Sequence, residues 1–204
     1  TREFFSHRQS IFGLLLLVML PAGYMSIIAV SAALTVEIYG FTVEAYGVIF
    51  ALAGISILVG STLNRWLVTR FEVMTLIALG VFLIGLSGAQ LLLIAWMDSA
   101  PFWWVWSSVC LFMFTIAILM ANTTVLALDP LPRIAGVASS ILGTAQNIVG
   151  ASGALIAAII YDGTVRNSVL IMGSVSALVV AIFLMKPLIA PGPPVHHPDE
   201  LARD

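Results

Sequence analysis

The residue types that most often carry chemistry are few and scattered in this chain. His7 lies before the first apolar run, and His196 and His197 lie in a polar tail. Their spacing would hold no metal, and all three read as solvated. Cys110 is the one cysteine, so neither an internal disulfide nor a CxxC metal site can form. No Ser/His/Asp set, HExxH pair, paired aspartates or Walker loop occurs. A membrane enzyme is therefore a poor reading, and no cofactor is expected. What remains is neutral: hydroxyls and amides at helical spacing.

Pro21, Tyr24, Ile28, Ser31 and Thr35 recur at steps of 3, 4, 3 and 4, which puts them on one helical stripe. Ser108, Thr115 and Asn122 recur every seven residues, again on one stripe. A third segment carries Ser139, Ser140, Thr144, Gln146 and Asn147 among Gly136, Gly143 and Gly150. Two readings stay open for these stripes. Small residues let helices approach, and polar side chains bond across helices for about 0.6–2 kcal/mol. Gln146 beside Asn147 fits simple packing less well, because two amides at mid-depth need several partners. A tight interface provides them, and so does a cavity. On the cavity reading the lining is Tyr24, Ile28, Ser31, Ser108, Thr115, Asn122, Gln146 and Asn147. Pro21 frees a backbone carbonyl and is expected to bend its helix.

The elements that carry these stripes follow from composition. Of 204 residues, 61% are hydrophobic and only 9% charged, eight Lys/Arg against ten Asp/Glu. A soluble domain carries about 25% charge. The net charge of −2 and the lack of a basic stripe exclude disorder and nucleic-acid binding. The class left is an integral membrane protein. A spanning helix needs about 20 mainly apolar residues. Six such runs occur, at 11–36, 45–63, 73–96, 102–128, 135–160 and 169–185. They are continuous rather than alternating, which excludes membrane β-strands. The links between them are short, so sequential helices are expected to be antiparallel neighbours.

Charge orients the spans. With the N-terminus inside, Arg2, Arg8, Arg65, Arg70, Arg133, Lys186 and Arg203 are cytoplasmic and only Arg166 is outside, a score of 7 to 1. Both termini are then cytoplasmic, and a bacterial inner membrane is the expected location. Trp96, Phe102, Trp103 and Trp104 cluster at an outer boundary as an interfacial belt would. The predicted division is a lead-in at 1–10, a six-span domain at 11–185 and a Pro-rich cytoplasmic tail at 186–204. Prolines 187, 191, 193, 194 and 198 bar that tail from continuing the helix, and a mobile end is expected. No deep carboxylate appears: Glu37 and Glu44 sit at outer ends and Asp129 at an inner end. A proton relay of the usual buried kind would have to lie elsewhere.

The second and fifth runs look alike. At a shift of 89, Gly47, Val48 and Gly54 align with Gly136, Val137 and Gly143. The same shift carries the first run close to the fourth and the third close to the sixth. Three spans reverse orientation on repetition, so the fold class is an all-α membrane protein built as two inverted three-helix repeats. The polar stripes assign runs one, two, four and five to protein or water. The blander runs three and six are assigned to lipid.

The run NTTVLALDPLPRIAGVASS at 122–140, followed by Gly143 and Gln146, resembles a motif of major facilitator superfamily multidrug exporters. It is similar to their C-terminal half, and most of all to the bicyclomycin and chloramphenicol resistance branch. The segment GSTLNRWLVTRF at 60–71 is similar to the basic cytoplasmic loop of that half. It departs by having Asn64 where Asp is usual and by lacking the following Gly. The resemblance covers residues 4–190 and implies a twelve-span transporter of which this chain is the second six. It implies export of small molecules by alternating access, coupled to protons, with spans one and four lining the cavity. Asn64, Arg65, Arg70, Asp129 and Arg133 would be the cytoplasmic loop and gating residues. The partners expected are the N-terminal six-span half or a second copy of this chain, the bilayer, a small-molecule substrate and protons. The chain opens on Thr1, and an excerpt of a longer protein is expected. The competing reading is a six-span structural or assembly subunit with no transport cycle of its own.

Overall fold

The computed structural model describes residues 2–97 and 99–190. A short helix α1 (Arg2–Ser6) leads into α2 (Arg8–Ala32), which continues as a π-helical turn at Ala33–Ile38. Then follow α3 (Val43–Leu67), α4 (Val73–Ala95), α5 (Phe102–Leu128), a 3-10 turn (Pro132–Ile134), α6 (Ala135–Ile160), α7 (Val165–Leu184) and a short α8 (Lys186–Ile189). Six of these segments are long and apolar enough to cross a membrane. Among the described residues there is no strand.

The ends have local causes. The Thr42 hydroxyl accepts from Ala45 N at 3.2 Å and starts α3. Thr164 does the same for Asn167 N at the start of α7. Pro101 precedes α5, and Pro130 and Pro132 separate α5 from α6. Pro21 lies inside α2 without ending it, and its missing N–H leaves the Leu17 carbonyl without a helical donor. Helix α7 stops at Leu184, and Pro187 opens the first turn of α8. The rest of the Pro-rich tail, with His196, His197 and Arg203, lies outside the described residues.

The packing partners obey a two-fold rule. Helix α2 packs on α6, α7 and α5, while α5 packs on α3, α4 and α2, and α4 packs on α7. Exchanging the triplet α2–α3–α4 for α5–α6–α7 maps this set of contacts onto itself. Burial obeys it too: within the most apolar stretch of each span, 61% and 56% is buried for the first and fourth, 17% and 17% for the second and fifth, and 44% and 39% for the third and sixth. The six spans are thus two inverted triplets that interlock.

That interlocking corrects the expected neighbours. Only α4 and α5 are both consecutive and extensively packed; α3 leans on α5 rather than α2, and α6 leans on α2 rather than α5. The reason is backbone approach. A Cβ at Gly60 of α3 would run into the Phe114 carbonyl of α5. A Cβ at Gly153 of α6 would lie 2.5 Å from the Ala22 carbonyl of α2. Glycine at these two crossings lets helices of opposite triplets touch, which a short link between consecutive helices does not require.

The core runs through α2 and α5, with Phe12, Leu16, Leu20, Trp106, Phe112 and Ile116 almost fully enclosed. A second, smaller cluster at the other end joins Phe4 of α1 to Leu17, Ala127, Leu131, Ala138 and Leu142. Helices α3 and α6 carry the barest faces, with Val48, Ile55, Leu58, Ile148, Leu155 and Ile159 exposed.

Candidate functional site

A pocket of about 290 Å³ opens between α2, α5 and α6. Helix α2 contributes Pro21, Tyr24 and Met25, and α5 contributes Met120. Helix α6 contributes Gly143, Gln146, Asn147, Gly150 and Ala151, a ladder of steps that keeps one helical face toward the opening. Gly150 keeps the wall thin, since a Cβ there would stand 3.0 Å from Pro21 Cβ. Met120 also touches the small cluster around Phe4 and Leu142, so the pocket has an apolar floor on that side.

The pocket is neutral, with no Asp, Glu, Lys or Arg in its lining. Its polar groups have spare capacity. Asn147 Nδ2 donates to Gly143 O at 2.9 Å, which leaves its carbonyl oxygen uncommitted. Among the described residues neither the Tyr24 hydroxyl nor the Gln146 amide makes a hydrogen bond. A phenol, two amides and two thioethers therefore face one space, a lining suited to neutral, partly apolar molecules.

Of the eight lining residues expected from the sequence, Tyr24, Gln146 and Asn147 border this pocket. The other five do not. Ile28 lies one turn further and is 41% exposed. Ser31 is buried, with its hydroxyl 2.9 Å from Tyr46 Oη and donating to Ile28 O at 3.1 Å. Ser108 Oγ lies 3.2 Å from Gln90 Oε1 and 2.9 Å from Trp104 O and can donate to either, while its own carbonyl accepts from Ser87 Oγ. Thr115 donates back to Leu111 O at 2.7 Å. Asn122 Nδ2 donates to Asn64 Oδ1 at 2.7 Å and to Ile118 O at 2.8 Å. The α5 stripe is thus spent on neighbouring helices and its own backbone, which is the packing reading of these residues.

The same bond corrects the loop assignment of Asn64. That residue is buried inside α3, which runs to Leu67, four residues past the end of the span expected from the sequence. Arg65 beside it is exposed, and the Arg70 guanidinium sits 4.6 Å from the centre of the Trp66 ring. Asp129 is the residue at which α5 ends, its N–H donating to Val125 O at 2.9 Å. Arg133 is exposed on the 3-10 turn. The lining residues outside the eight expected are Pro21, Met25, Met120, Gly143, Gly150 and Ala151. Gly150 and Ala151 extend the ladder from Gly143, so that signal was present. Nothing in the sequence marked the methionines.

Tyr161 Oη donates to Glu37 Oε2 at 3.5 Å, tying the close of α6 to the π-turn that ends the first span. Partial burial raises the Tyr161 pKa above its usual value, and the nearby Glu37 charge raises it further. Arg166, the lone cation expected outside, stands 6.0 Å from the Trp96 ring centre.

Six apolar spans in two interlocked inverted triplets, around a neutral pocket, define a six-span integral membrane protein of transporter-like build. Residues 1–154 match the Major Facilitator Superfamily, and the chain belongs to that family. It is 28% identical over 141 residues to a bicyclomycin resistance protein homolog of Haemophilus influenzae, a match covering 69% of this chain and 35% of that protein. The chain thus spans about a third of the length of the curated relative it matches. No solved structure matches it.

Proposed function

We propose that this chain is the C-terminal half of a secondary transporter that exports drugs or other small molecules by alternating access, coupled to proton entry. The observation that carries the reading is the neutral pocket between α2, α5 and α6, whose Tyr24, Gln146 and Asn147 retain unspent hydrogen-bonding groups. It lies beside α6, which with α3 is the least buried of the six spans. The uncovered faces of α3 and α6 are the surface for the other six-span half, or for a second copy of this chain. The printed name of the H. influenzae relative supports drug resistance as the role. The 7 to 1 charge bias supports cytoplasmic termini in a bacterial inner membrane.

In this reading substrate lies against Pro21, Tyr24 and the α6 ladder, and rocking of the two halves exposes it to either side in turn. The pocket has no carboxylate, so the proton-carrying acid belongs to the other half. Arg65, Arg70 and Arg133 meet lipid phosphates or the other half at the cytoplasmic end. The test is accumulation of a neutral antibiotic in drug-sensitive cells that express the full-length protein. Accumulation falls on expression and recovers when an uncoupler collapses the proton gradient. Export that survives the uncoupler would remove the proton step. Accumulation unchanged across a panel of compounds would remove the exporter reading and favour a structural subunit.

A further inference from the structure

A second and larger cavity lies away from the proposed substrate site. It is an open groove of about 580 Å³ along the α4–α7 seam. Its floor is made of small residues, Gly85, Gly88, Ala89 and Ala177, and its walls include Phe82 and Phe183. Every lining residue is apolar. Phe82 is 68% exposed and Leu184 71% exposed at its rims, so the groove opens outward from the bundle.

The two helices are antiparallel, since Gly88 meets Ser176, Gly85 meets Val180 and Leu92 meets Gly173. This register brings the end of α7 level with Ala78, the last lining residue toward the start of α4. Lys186 stands there, two residues beyond Leu184 of the groove wall, and it is half-buried. Among the described residues no carboxylate pairs with it. Around the adjoining α3–α4 turn Arg65 and Arg70 outnumber Glu72, so this end of the groove is positive.

An outward apolar groove on two spanning helices lies in hydrocarbon, where the available filler is an acyl chain. A cation at the membrane-surface end of such a groove selects the headgroup. We propose that the α4–α7 groove holds one acyl chain of an anionic phospholipid, from the leaflet on the α3–α4 turn side, with its phosphate at Lys186. Exposed bulk lipid would coat this face without regard to charge. The Lys186 rim instead distinguishes phosphatidylglycerol from phosphatidylcholine of the same chain length.

The test uses the full-length protein reconstituted in vesicles of equal parts phosphatidylglycerol and phosphatidylcholine with matched chains. Lipid retained after detergent extraction is counted by native mass spectrometry. The expected result is at least fivefold more retained phosphatidylglycerol, falling to parity in Lys186→Gln. Ala177→Phe, which fills the groove from an exposed position, lowers retention of both lipids several-fold. Leu93→Phe, exposed on α4 outside the groove, leaves both unchanged and controls for folding. Equal retention in the wild-type protein, or a preference that survives Lys186→Gln, overturns the headgroup assignment. Retention unaffected by Ala177→Phe overturns the groove.

Discussion

The contact of α6 on α2 and that of α3 on α5 are symmetry mates, yet one is open and the other is shut. Both are crossed at glycine, Gly153 against Ala22 in the first and Gly60 against Phe114 in the second. In the α3–α5 contact the polar groups find one another: Asn122 meets Asn64, and Trp106 Nε1 donates to Ile49 O at 2.9 Å. In the α6–α2 contact Tyr24 and Gln146 find no partner among the described residues, and a pocket of about 290 Å³ stands between them. Repetition reproduced the scaffold, and divergence of a few side chains decided which copy closed and which kept a pocket. In a medium without water, a polar group that protein leaves unsatisfied is costly.

The difference can be broken from the locked side first. Gly60→Val forces a Cβ into the Phe114 carbonyl, and overpacking costs about 3 kcal/mol or more. The expected outcome is loss of folded protein by size-exclusion chromatography in detergent. Gly54→Val, on the same helix with open space around it, leaves the elution unchanged if that face is free, and impairs function only if another half docks there.

Next is the amide pair. Asn122→Leu strands the Asn64 amide in a buried contact, at a cost of about 1–3 kcal/mol. Thermal unfolding of the full-length protein should drop accordingly, and the Asn64→Leu, Asn122→Leu double variant should recover part of the loss. A double variant worse than the additive sum would show that the pair is no lock. Trp106→Phe keeps most of the ring packing and deletes the bond to Ile49, for about 1 kcal/mol by the same measurement.

The open side should respond in the opposite sense. Gln146→Leu removes no bond within the described residues, so stability stays within about 0.5 kcal/mol. Transport should nevertheless fall about tenfold, the equivalent of about 1.4 kcal/mol of substrate interaction. A Gln146→Leu protein that loses stability while exporting normally would reverse the assignment of the two contacts.

Much of the fold was legible in the residues. The fourth and fifth runs coincide with Phe102–Leu128 and Ala135–Ile160 of the helices. The second apolar run ends before Asn64, whereas α3 continues to Leu67. Asn64 there accepts from the Asn122 amide of another helix, which no local pattern reveals. The site was legible in part. The doubled amide Gln146–Asn147 marked the pocket, but the α5 stripe of Ser108, Thr115 and Asn122 marked packing.

By itself, then, the sequence determined six spans, their alternation across the membrane and their division into two triplets. The spans follow from apolar run length, since a backbone in hydrocarbon must satisfy its own hydrogen bonds in helices of set length, and the triplets follow from the repeat at a shift of 89. Tertiary structure alone decided which stripe faces which neighbour. Helical periodicity sets the angle of a stripe, not what lies opposite it. Lipid and protein interior are similarly apolar, so the hydrophobic pattern that points a soluble helix inward has little to say here. The pairing of α6 with α2 and of α3 with α5, and with it the choice of Tyr24, Gln146 and Asn147 over Ser108, Thr115 and Asn122, came from close glycine crossings between distant parts of the chain.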